Sequence, residues 1–72
     1  MSMNDYAMDI AEDIISDTYK KVSEGEITFD DTEKIYIEKL THEEINALGF
    51  LGIHDEFDFR EAIEITGDIN ES

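Results

Sequence analysis

The sequence predicts an all-α fold: a compact bundle of about four short helices in one small acidic domain, 1–72. Three observations predict it. Apolar residues recur at three- and four-residue intervals in four separate stretches. Thr28 and Thr41 each stand three residues before an acid, Asp31 and Glu44, in the pattern of a helix-capping box. The chain has no proline, and its four glycines fall where the periodic stretches end.

The first helix is expected from Asp5 to about Ser23. Ser2 or Asn4 is placed to cap it, and Gly25 to stop it. One face carries Ala7, Ile10, Ala11, Ile14 and Thr18, flanked by Met8, Ile15, Tyr19 and Val22. The opposite face carries Asp5, Asp9, Asp13 and Asp17, with Glu12 beside them. Side chains four residues apart lie nearly above one another, about 6 Å apart along the axis. Like charges at that spacing destabilise a helix, and aspartate is a mediocre helix former. The first helix therefore gives up stability for a line of negative charge.

The segment Ile27 to Leu40 admits two readings. As a helix it has Thr28 at the N-cap and Asp31 closing the box, with Phe29, Thr32, Tyr36, Ile37 and Leu40 on one face and Ile35 to one side. As a hairpin, the α+β alternative, Ile27 and Phe29 face Ile35 and Ile37 across a DDTE turn. That turn lacks the glycine or asparagine of a tight hairpin, although the Ile-Tyr-Ile run favours strand. The third helix is short. Thr41 and Glu44 form its box, Leu40 and Ile45 its hydrophobic staple, and Gly49 its end.

The GFLGI connection that follows bends sharply, so Phe50, Leu51 and Ile53 either plug the end of the core or form an exposed patch. The last helix starts near His54 or Asp55, with Asp55, Glu56 and Asp58 at its positive end. Phe59, Ala62, Ile63 and Thr66 make its inner face, with Phe57 and Ile65 beside it. Gly67 is expected as its C-cap, with 68–72 frayed or Ile69 folded back on the core.

Composition narrows function more than any motif does. Twenty acids face five bases, Lys20, Lys21, Lys34, Lys39 and Arg60, for a net charge of −15. Such a chain repels nucleic acid and anionic membranes and attracts basic protein surfaces. There is no cysteine, hence no disulfide and no thiolate metal site. A domain this small is marginal alone, which leaves a partner protein or a homodimer as support. No apolar run approaches the roughly 18 residues of a membrane span. MSMNDYAMDI lacks a basic and then apolar leader, so a cytoplasmic location is expected.

Specific chemistry finds little footing. His42 and His54 are the only histidines, HEEIN lacks the second histidine of a zinc-protease motif, and no stretch has the ligand series of an EF-hand. No serine sits in a nucleophile elbow and no glycine-rich phosphate loop is present. No catalytic residue, metal or cofactor is expected, and the chain reads as non-enzymatic. EEINALGF with the later REAIEITGDIN loosely resembles a ubiquitin-associated domain, but the joining loop is too long and no third helix follows, so no family is assigned.

The leading functional expectation is polyanion mimicry. B-form DNA presents a phosphate about every 3.4 Å on each strand. Carboxylates about every 6 Å along a helix, with other acidic helix starts nearby, make a comparable array. The groups expected to meet a basic, nucleic-acid-binding protein are Asp5, Asp9, Glu12, Asp13, Asp17, Asp30, Asp31, Glu33, Glu43, Glu44, Asp55, Glu56 and Asp58. Exposed apolar groups such as Phe50 or Phe57 would supply specificity. Small phage-type antagonists of restriction or CRISPR systems act this way as a class, an analogy of size and charge. The alternative is an adaptor or immunity-type module whose apolar patch of Phe50, Leu51 and Ile53 carries the binding.

Overall fold

In the computed structural model the backbone is described for 3–71 and the side chains for 5–69. Among the described residues, four helices follow one another: α1 (Met3–Ser23), α2 (Phe29–Glu38), α3 (His42–Gly49) and α4 (Glu56–Glu71). The fold is the expected all-α bundle, and Ile27 to Leu40 takes the helical alternative rather than the hairpin. The proposed caps of α1, Ser2 and Asn4, lie outside the described side chains.

Local chemistry sets each boundary. Thr28 Oγ1 accepts from the Asp31 amide at 3.2 Å, and Asp31 Oδ2 accepts from the Thr28 amide at 2.8 Å. Thr41 and Glu44 repeat this exchange at the same two distances. Each box satisfies two amides that the first helical turn would leave unpaired. At α4, Asp55 Oδ1 accepts from the Asp58 amide at 2.8 Å, and Asp58 Oδ2 reaches back to the His54 amide at 3.1 Å. Two helices end in Schellman turns. Gly25 and Gly52 adopt φ of 81° and 83°, where an L side chain is strained. Their amides donate to Val22 and Gly49, and the next amides, of Glu26 and Ile53, to Lys21 and Leu48. The chain thus passes Gly49 and turns at Gly52.

α4 packs between α1 and α2, and α3 closes against α1. The core takes residues from all four helices and from one loop: Ala11, Ile14, Tyr36, Ala47, Leu48, Ile53, Phe59 and Ile63. Leu48, Phe59 and Ile63 are fully enclosed, and each side chain contributes about 1.5–3 kcal/mol of burial free energy. Tyr36 and Phe59 rings lie 5.7 Å apart, tilted by 42°. Burial, then the charges of Asp55, Glu56 and Asp58, push the Tyr36 hydroxyl above its ordinary value. Thr32, also fully enclosed, donates its hydroxyl to the Phe29 carbonyl, and no buried side-chain N or O among the described residues lacks a partner. The radius of gyration is 11.7 Å, close to the roughly 11 Å of a packed chain of this length.

Three expectations are corrected. Gly67 does not cap α4, which runs on to Glu71. A Cβ at Gly67 would sit 3.1 Å from Tyr19 Cε1, so the glycine lets α4 approach the α1 ring closely. Ile69 does not fold onto the core and is 70% exposed. Ile37 is 63% exposed while Ile35 packs on the core. At about 100° per residue, Ile37 lies well round the helix from Tyr36, whereas Ile35 lies on the Thr32 side.

Among the described residues, no helix is long and apolar enough to cross a membrane.

Candidate functional site

The inner face of α1 is occupied as its periodicity requires. Ala11, Ile14 and Thr18 are buried, and Ala7, Ile10, Ile15, Tyr19 and Val22 pack around them. The outer face must then project Asp5, Asp9, Glu12, Asp13 and Asp17 into solvent, and all five are exposed. Asp9, Glu12, Asp13 and Asp17 make no ion pair with any described residue. Lys20 and Lys21 sit in the last turn of α1, where the helix dipole favours cations.

The other acids expected at the site divide by structural duty. Arg60 takes Asp30 and Glu33 of α2 at 2.7 and 2.9 Å, and Glu64 of its own helix at 2.9 Å. Its hydrogen bonds to Glu33 and Glu64 and the Asp30 charge hold the guanidinium above its ordinary pKa. Asp31, Glu44, Asp55 and Asp58 cap helices. The bonds from the Thr28 amide and hydroxyl, with the nearby Lys34 charge, hold the Asp31 carboxyl below its ordinary range. Glu56 is half-buried at the start of α4, and Glu43 is exposed on α3. Asp30, Asp31, Glu33, Glu44, Asp55 and Asp58 are thus committed at least partly to the fold. The α1 stripe is the acidic array with the least internal compensation.

The apolar triplet separates. Ile53 is buried in the core, Leu51 is half-buried against it, and Phe50 is 55% exposed. Phe50, Leu51 and Ile53 therefore do not form one exposed patch. The Ile53 amide is tied to Leu48 by the Gly52 turn, which draws its side chain inward beside Leu48.

Phe50 instead belongs to a groove between α1 and α3. It is about 400 Å³ and is lined by Tyr6, Ala7, Ile10, Glu43, Asn46, Ala47 and Phe50. Sequence reading missed Tyr6 and Asn46. Tyr6 carries a faint signal, an aromatic one turn before Ile10, but only the α1–α3 packing brings it to Phe50. A second groove, about 480 Å³, sets Lys21 and Lys39 against Asp17 and Glu44 and so carries both signs of charge. Among the described residues, no group of three or more His, Asp or Glu side chains is arranged to hold a metal ion.

Compared with protein-family models, curated proteins and solved structures, the chain finds no match.

Proposed function

We propose that this protein is a non-enzymatic acidic binding protein that inhibits or modulates a nucleic-acid-binding protein by occupying its basic surface. One observation carries the reading: the outer face of α1 presents Asp9, Glu12, Asp13 and Asp17 in solvent with no ion pair to any described residue, while the single arginine is held elsewhere. Carboxylates about one helical turn apart repel each other, so the face gains most when it meets Lys and Arg side chains. Such binding is fast through electrostatic steering and weakens with salt. Small phage-type antagonists of restriction or CRISPR systems, which work this way as a class, are its analogy in size and charge. The same reading takes the cytoplasm as the compartment.

The test is charge reversal. Asp9→Lys, Asp13→Lys and Asp17→Lys together are expected to abolish binding to the target while the circular dichroism spectrum stays helical. Undiminished binding by the folded triple variant would sink the proposal.

A further inference from the structure

Charge alone draws in any basic surface, so a discriminating contact has to come from elsewhere on the molecule. The α1–α3 groove offers one. Tyr6 and Phe50 are 58% and 55% exposed at its edge, and Ile10 and Ala47 help line it. A bulky aromatic pair left this exposed on a small chain is a candidate contact surface. The groove is also bordered by acid. Glu43 lines it on the α3 side. Asp9 and Asp13, both exposed, follow Tyr6 and Ile10 by three residues on α1 and so stand about 60° round the helix from each. Among its lining residues there is no lysine or arginine.

We infer that this groove takes a cationic segment of the partner carrying a bulky aliphatic or aromatic side chain, as an amphipathic basic helix does. The inference rests on the polyanion reading and deepens it by naming the chemistry of the partner segment. The apolar side chain seats between Tyr6 and Phe50, and flanking lysines or arginines meet Asp9, Asp13 and Glu43. A second copy of this chain is a poor occupant, because a net charge of −15 on each copy opposes the approach.

Two synthetic helical peptides test this, both lysine-rich, one with two leucines four residues apart and the other with glutamines in their place. Binding is read by fluorescence anisotropy at low and high salt. The wild-type protein is expected to bind the leucine peptide at least about tenfold more tightly. Tyr6→Ser with Phe50→Ser should erase that preference while leaving the glutamine peptide's affinity unchanged. Phe50→Ser alone should reduce it, and serves if the double variant loses its helical spectrum. Equal, salt-sensitive binding of both peptides to the wild type would overturn the groove assignment and leave the polyanion reading standing. Absence of binding, or binding indifferent to salt, would overturn both. Self-association in sedimentation that Phe50→Ser abolishes would overturn the assignment in favour of a second copy.

Discussion

Arg60 Nη1 lies 2.7 Å from Asp30 Oδ1 and so ties α4 to α2 across thirty residues of sequence. The same guanidinium also holds Glu33 and Glu64. Three carboxylates gathered on one cation relieve repulsion at the α2–α4 edge, whereas the α1 stripe has no such centre. Replacing Arg60 by Gln is expected to leave Asp30, Glu33 and Glu64 repelling one another. Thermal unfolding should then show a lower Tm at low salt, with the gap to wild type narrowing at about 0.5 M salt, where the screening length is only a few ångströms. An unchanged low-salt Tm would mean that the cluster stabilises nothing.

The α1 stripe should behave in the opposite way. Asp13 is four residues from both Asp9 and Asp17, and each such like-charge pair costs about 0.2–0.5 kcal/mol. Asp13→Asn should therefore raise stability by about 0.5–1 kcal/mol at low salt, because Asn and Asp have similar helix propensities. Urea denaturation measures this. The variant should also bind the basic partner more weakly, as expected of a residue kept for contact rather than folding. A destabilised Asp13→Asn protein would contradict the account of the stripe.

The capping box at α2 gives a pH dependence of defined sign. The Asp31 carboxyl is held below its ordinary value of 3.8 by the Thr28 amide and hydroxyl. Its folded-state pKa lies below its unfolded one, so its contribution is complete above the unfolded value and is lost as pH falls through the folded value. The stability difference between wild type and Asp31→Asn should accordingly be constant near neutrality and shrink once the pH drops below the ordinary carboxylate range. At neutral pH, Thr28→Ala should cost about 1 kcal/mol. A wild-type to Asp31→Asn difference that grows on acidification would refute the assignment.

Much of the fold was legible because its signals are local. The boxes at Thr28 and Thr41 and the spacing of Ala11, Ile14 and Thr18 lie within a few residues of what they specify. The misread positions depend on neighbours distant in sequence. Gly67 looks like a stop signal, and only the Tyr19 ring against it shows why a glycine stands inside α4. Ile53 admitted both a core and a patch reading, and the local Gly52 turn places it in the core beside Leu48. The acidic stripe was visible from composition and helical spacing alone. Its separation from the Arg60 cluster was not, since Arg60 meets Asp30 and Glu33 only through the α2–α4 packing. The Tyr6–Phe50 groove was hidden for the same reason.

The Gly67–Tyr19 contact itself is testable. Gly67→Leu adds a good helix former but forces a side chain into the space Tyr19 fills, and should cost about 1–3 kcal/mol. Adding Tyr19→Ala should recover part of that loss, with a coupling of about 0.5–3 kcal/mol in the double-mutant cycle. Strict additivity of the two substitutions would show that the contact does not set the α1–α4 distance.

The most direct test of the central claim is capture of partners from native lysate of the source cells by the tagged protein. The capture is repeated with heparin and at high salt, and with the Asp9, Asp13 and Asp17 charge-reversal variant, with retained proteins identified by mass spectrometry. The account predicts nucleic-acid-binding proteins held at low salt, released by heparin, and absent from the variant. A single partner that resists heparin and salt and is still held by the variant would contradict it.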